Sequence, residues 1–151
     1  METKRAQLKV LAEENALIPE RQHKWDAGLD LKAAESVMLP PKQWKLVRSG
    51  VKAVIPEGFV GLVCPRSGLA LKHGVTVLNA PGIIDSEYRG DIGVILINLS
   101  EKPYTIEKGD RIAQLVLTPV EYFAIYPLSE ATFEKYYKTK RGGGGFGSTG
   151  K

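Results

Sequence analysis

The chain's 151 residues, 43% hydrophobic and 25% charged, suit one soluble domain with a real core and leave little room for two. A single cysteine, Cys64, excludes an internal disulfide, and with only two histidines, His23 and His73, a structural zinc cluster is excluded too, so any metal should be hard and oxygen-bound. A net charge of +4 without a basic stripe or basic helix argues against stable nucleic-acid binding.

In chain order, strand patterns dominate. "LKVLAE" at 8–13, "VKAVIP" at 51–56, "GFVGLVCP" at 58–65, "GDIGVILINLS" at 90–100 and "RIAQLVLTPVEYFAIYPL" at 111–128 are short runs rich in β-branched residues. Turn clusters separate them: "IPEG" at 55–58, "NAPG" at 79–82 and "EKGD" at 107–110. The spacing predicts an all-β, jelly-roll-like barrel. One short helix is expected at "SGLALKHG", capped by Ser67 and ended by Gly74 in a left-handed conformation; a second near "SEATFEKYY" is a weaker signal. Residues 1–138 are taken as the barrel domain and the Gly-rich residues 139–151 as a flexible C-terminal arm. No apolar run approaches the roughly 18 residues of a membrane span, and no secretory h-region opens the chain. An intracellular soluble protein, cytoplasmic in the first instance, is the expectation; nucleus, organelle and phage-infected host stay open.

Chemistry in such a scaffold belongs in the loops, and five stand out. In "DAGLDLKAA" at 26–34, Asp30 lies between Leu29 and Leu31 and either faces solvent or does unusual work. In "CPRSGLA" at 64–70, Arg66, Ser67 and Gly68 gather at a predicted helix start, where free N-H groups favour anions; a plain cap with a surface arginine is the alternative. "LNAPGIIDSEYRGDIG" at 78–93 places Asp85, Tyr88 and Arg89 after the apolar Ile83 and Ile84. A carboxylate beside apolar walls can serve as a general base and a ring can stack on a sugar or base, although a tight turn with a charged edge explains the same residues. In "EKGDRIAQLVL" at 107–117, Gln114 interrupts an apolar strand and faces either solvent or a ligand. The fifth is the tail, "RGGGGFGSTG".

Together and in this order, "AGLDL", "PRSGLA", "GIIDSEYRG", "GDRIAQL" and "RGGGGFGSTG" resemble the five motifs of the homotrimeric dUTPase family, from about residue 26 to the C-terminus. The resemblance implies a jelly-roll subunit, a homotrimer with active sites shared across subunit interfaces, and magnesium-dependent hydrolysis of dUTP to dUMP and pyrophosphate. That reaction limits uracil in DNA and supplies dUMP for dTMP synthesis. It implies that Asp85 is the general base activating the water that attacks the α-phosphate, and that Tyr88 packs under the deoxyribose and rejects UTP. Uracil is read by the backbone of a narrow hairpin at Gly82, Ile83, Ile84 and Gly93, with the Asn79 side chain as a further contact. Arg66, Ser67, Gly68 and Gln114 hold phosphates, and Asp30 holds Mg2+ through water. The tail becomes a lid in which Phe146 stacks on uracil while Arg141, Gly147, Ser148 and Thr149 grip the γ-phosphate.

Other positions are read as structural: Cys64 as an inert buried thiol, His73 as a partner of its helix end, Arg89 and Asp110 as turn or salt-bridge residues, Trp25 and Trp44 as outside the site. Asp91 after "YRG" departs from the commoner family pattern. Two alternatives are weighed. A dCTP deaminase of the same fold needs a glutamate where Ile95 stands, and lacks such a tail. A dUTPase-fold regulatory binding protein finds no long insertion between the motifs to serve it.

Overall fold

The computed structural model describes residues 5–150. Ten strands follow in chain order: β1 Lys9–Ala12, β2 Gly28–Lys32, β3 Val37–Leu39, β4 Trp44–Val54, β5 Phe59–Cys64, β6 Val75–Val77, β7 Gly82–Ile84, β8 Asp91–Asn98, β9 Tyr104–Ile106 and β10 Arg111–Pro119. They form two four-stranded sheets, ordered β1-β4-β8-β6 and β2-β10-β5-β7, with a β3-β9 ribbon. Every ladder between them is antiparallel.

Period-two patterning explains the layers. Along β8 every second residue is buried, Ile92, Val94 and Leu96 at 0% exposure, so one face enters the core and the other, with Asp91, Gly93, Ile95 and Ile97, is part-exposed. These side chains meet Leu31, Ala113 and Leu115 of the facing sheet in one cluster. The result is the expected jelly-roll-like β fold, with its core between the sheets.

β4 carries a break in its pairing. Its register against β8 shifts between Arg48 and Lys52, and Gly50 sits there at φ +67°. A side chain at Gly50 would approach Leu17 Cδ1 to 2.7 Å, so both the left-handed backbone and the close packing call for glycine.

Several sequence expectations need adjustment. The run expected at 111–128 ends as a strand at Pro119, because proline lacks an N-H donor; after Val120 donates to the Gly58 carbonyl (2.9 Å), Tyr122, Phe123, Ile125 and Tyr126 are exposed. The expected helix is present as α1, Ser67–His73, with Gly74 at φ 64° closing it, but Arg66 rather than Ser67 occupies the cap position and makes no side-chain capping bond. Ser67 is already the first helical residue, so its hydroxyl is not the cap. The weaker helix also exists: α2, Glu130–Tyr137, where the Ser129 hydroxyl accepts the Thr132 N-H. A 3-10 turn covers Asn15–Leu17. α2 and the tail belong to a second compact unit that begins at Tyr122, separate from the barrel unit that ends at Glu121. No helix among the described residues is long and apolar enough to cross a membrane.

Candidate active site

At one end of the β2-β10-β5-β7 sheet, three of the sequence motifs converge. Gln114 of β10 lies opposite Asp30 on one side and Cys64 on the other, and its amide donates to the Pro65 carbonyl at 2.9 Å. Gly28 makes room for it, since a Cβ there would fall 2.2 Å from Gln114 Oε1. Asp30 does not face solvent: it is only 8% exposed. Arg66 Nε lies 3.6 Å from its Oδ1 and Arg111 Nε 4.0 Å from its Oδ2. Arg66 also donates to the Arg111 carbonyl at 3.2 Å, which ties the α1 cap residue to β10. Ser67 and Gly68 are exposed, and the space around Gly68 is open. Two guanidiniums beside an open helix start make this end attractive to an anion.

Asp30 Oδ2 is buried without a hydrogen-bond partner, which leaves it one acceptor for a water or a hydrated ion. Among the described residues no three His, Cys, Asp or Glu side chains cluster as a metal site. An all-protein cage is therefore absent there, whereas a single outer-sphere contact to a hydrated Mg2+ that rests mainly on phosphate oxygens fits the residues.

Motif three builds the second part. β7 pairs with β5 while β8 pairs with β4 and β6, so the expected narrow hairpin is instead an opening between strands of different sheets. A cavity of about 330 Å3 lies there, lined by Leu46, Ile83, Ile84, Asp85, Tyr88, Asp91, Gly93 and Ile95; this is the low end of small-ligand pockets. Asp85 is exposed directly after β7, and its carbonyl accepts the Tyr88 N-H at 3.1 Å. Tyr88 donates its hydroxyl to the Asp91 carbonyl at 2.8 Å. Arg89 braces this turn through the Ser86 and Tyr88 carbonyls (2.6 and 3.0 Å), the turn-stabilising role expected of it. Asp110 behaves likewise, accepting the Glu107 N-H at 2.9 Å. Gly82 is buried against Val63, with the Asn79 amide 3.5 Å from where its Cβ would stand.

The two parts do not meet within one chain. Gly61 of β5 is opposite Ile84, and Cys64 is opposite Gln114, so Asp85, one residue beyond Ile84, lies about four strand residues from the Asp30 end, roughly 13 Å at 3.3 Å each. In the separate C-terminal unit, Arg141 Nε donates to the Gly144 carbonyl at 2.8 Å, Gly147 holds φ 77°, and the Phe146 ring is fully exposed.

The dUTPase family model matches residues 14–150, which is almost the whole span carrying these features. The chain belongs to the dUTPase family. Among similar curated proteins, the deoxyuridine 5'-triphosphate nucleotidohydrolase of Clostridium novyi is 46% identical over 146 residues, covering 95% of this chain and 99% of that one. The corresponding protein of the Wolbachia of Culex pipiens is 54% identical over 127 residues, covering 83% and 81%. Among solved structures, a Staphylococcus bacteriophage 80alpha dUTPase mutant with dUpNHpp superposes with TM-score 0.84 at 31% identity, covering 96% of this chain and 99% of that one. A mutant dUTPase from phage phi11 of S. aureus, solved with a structural Mg(II) ion, gives TM-score 0.75 at 30% identity, covering 83% and 98%.

Within this dUTPase family member, several residues that sequence reasoning left aside stand beside the site. Arg111 flanks Asp30, and its only sequence signal is its place straight after the "EKGD" turn. Leu46 covers Gly93, where a Cβ would come within 2.5 Å of its Cδ1; "WKLVRSG" was not anticipated as half of a strand. Cys64 is part-exposed rather than buried, since β5 buries Gly61 and Val63 and turns the alternate residues outward. His73 packs against Tyr104 in a tilted arrangement with centroids 4.7 Å apart, and Trp25 and Trp44 are exposed. Burial, with a smaller contribution from Asp110, pushes the Tyr104 hydroxyl above its ordinary pKa, so this phenol stays protonated.

Proposed function

We propose that the protein hydrolyses dUTP to dUMP and pyrophosphate at sites shared between copies of the chain, with a divalent magnesium ion on the triphosphate. The observation that carries the shared site is the separation of Asp85 from the Asp30, Arg66 and Gln114 cluster along one sheet. A phosphate held at one end cannot present its α-phosphorus to Asp85 of the same chain, whereas a neighbour in a cyclic homotrimer can supply the missing half.

In this reading the uracil enters the cavity between β7 and β8, where its edge meets the backbone at Gly82, Ile83, Ile84 and Gly93, with Asn79 alongside. Fixed backbone donors and acceptors leave cytosine's exchanged groups unpaired, at a cost that supports strong discrimination. Tyr88 lies beneath the deoxyribose. The Asp85 carboxylate orients a water and takes its proton as the oxygen bonds to the α-phosphorus; the bond to the β-phosphate oxygen breaks and pyrophosphate leaves. Arg66, with Ser67, Gly68 and Gln114 from the neighbouring chain, holds phosphate oxygens and offsets the charge that develops on them. Magnesium, when bound, supplies charge neutralisation and a fixed triphosphate shape, and Asp30 is the residue that would hold its water shell. Residues 139–151, the last part of the second unit, act as a lid, with Phe146 over the base and Arg141, Gly147, Ser148 and Thr149 at the γ-phosphate.

Pyrophosphate release from dUTP, UTP, dCTP and dTTP, each with Mg2+ and with a chelator, tests this directly. The expected outcome is turnover of dUTP alone and its loss without the metal. Ammonia release from dCTP would assign the chain to the deaminase branch instead.

A further inference from the structure

The Tyr88 ring is held by backbone, and that backbone has an unusual support. Its hydroxyl is tied to the Asp91 carbonyl at 2.8 Å, and it packs so closely on Gly90 that a Cβ there would lie 2.4 Å from Oη. The ring therefore goes where residues 90 and 91 go. Asp91 is the first residue of β8 and pairs with Lys52, on the far side of the register shift that separates Arg48 from Lys52. A bulge weakens the ladder locally, so the start of β8 depends on side chains for its position.

One side chain spans that break. The Arg48 guanidinium lies 3.5 Å from Asp91 Oδ2 and is hydrogen-bonded to Glu13 Oε1. Glu13 is itself fixed, because its N-H donates to the Gly50 carbonyl at 2.9 Å, inside the bulge. The hydrogen bond to Glu13, followed by its charge and that of Asp91, holds the Arg48 pKa above its ordinary value. Lys52 lies opposite Asp91 in the ladder, yet the ion pair Asp91 makes among the described residues is with Arg48. Asp91 Oδ1 is already buried without a hydrogen-bond partner. Without Arg48 the part-buried Asp91 carboxylate, 25% exposed, would lose its ion-pair partner and turn toward water, carrying the Asp91 backbone with it.

We infer that Arg48 is a positioning residue for sugar selection: by bridging Glu13 and Asp91 it fixes the backbone to which Tyr88 is tied. The inference rests on the reading of Tyr88 as the surface beneath the deoxyribose. Exposed ion pairs add little to stability, so the consequence falls on where the ring sits and not on whether the barrel folds. A ring free to retreat leaves space for a 2′-hydroxyl.

The test is kcat/KM for dUTP and for UTP in the native enzyme with Mg2+, across Arg48→Met, Arg48→Lys, Tyr88→Phe, Tyr88→Ala and the double variant Arg48→Met with Tyr88→Phe. Arg48→Met should lower the dUTP-to-UTP ratio about fivefold, the size of one net hydrogen bond, and Tyr88→Phe should do the same. The double variant should fall no further than either single one, because both act through one tether. Arg48→Lys, which keeps a charge beside Asp91, should recover part of the ratio. An equal loss on both substrates with the ratio intact would make Arg48 a merely structural residue and overturn the inference. Should Arg48→Met not fold, Asp91→Asn carries the same expectation. If Tyr88→Ala leaves the ratio unchanged, the sugar-packing reading fails and takes this one with it. If Tyr88→Ala lowers the ratio while the folded Arg48→Met does not, only the role of Arg48 falls.

Discussion

At the scale of single residues, polar groups in this protein are costly or useful according to whether their bonds are complete. Asn98 is fully buried at the end of β8, yet every polar atom of its side chain is engaged. It donates to the Leu39 and Lys102 carbonyls (3.0 and 2.8 Å) and accepts from the Ser100 N-H and hydroxyl (3.0 and 2.7 Å). It pins the β8 end to the loop leading into β9 and to the end of β3. Asn98→Ala would take the side-chain donor from the buried Leu39 carbonyl and the acceptor from the Ser100 N-H, while the Lys102 carbonyl keeps the Ser100 hydroxyl, and should lower the unfolding free energy by about 1 to 3 kcal/mol, seen as a fall in the denaturant midpoint with unchanged slope. A stability within 0.5 kcal/mol of the parent, on the scale of ordinary surface changes, would contradict this account. Asp30 is the opposite case, a buried carboxylate with one oxygen unmatched. The sequence did not settle either state, since both are polar residues flanked by apolar ones; burial depends on which strand arrives opposite.

At the scale of elements, periodicity told most where a strand is covered on one face along its whole length. The alternation of β8 could be read directly, because each inward residue meets the facing sheet. It failed at 120–128, where apolar residues continue the strand pattern but have no ladder partner among the described strands. It also passed over β3, β6, β7 and β9, at three residues each too short to show a period. In the tail, glycines allow backbone conformations that other residues avoid, and Phe146 lies among them. The tail's turns, with Arg141 bonded to Gly144, leave that ring exposed. Removing residues 141–151 should leave the barrel's thermal midpoint unchanged while nearly abolishing kcat/KM for dUTP. Phe146→Ala alone should cost about 1 to 3 kcal/mol of the same quantity, the range of base stacking on aromatics. A truncated enzyme with full turnover would remove the lid from the mechanism.

At the scale of the whole molecule, the sheet that carries the motifs also keeps them apart. Asp85 follows the edge strand β7, and Arg66 follows β5 at the opposite end; the order of motifs in the sequence gave no hint of this, since Arg66 and Asp85 are close along the chain. The shared-site proposal turns that separation into a complementation experiment. Asp85→Asn should reduce turnover about 10²- to 10⁴-fold through loss of the general base, and Arg66→Ala should disable the phosphate end. Each parent homotrimer is then nearly inactive. Co-expressed or refolded together in equal amounts, the two chains assemble at random. A site is intact only where an Arg66→Ala chain supplies Asp85 and its neighbour, an Asp85→Asn chain, supplies Arg66. Two independent even chances leave about one quarter of the sites working in a cyclic trimer. Activity of that order, with a native mass three times that of the chain, is the expected result. A mixture no more active than its parents would mean that each chain completes its own site, and the geometry of the β2-β10-β5-β7 sheet would then need to rearrange on substrate binding to bring Asp85 and Arg66 together.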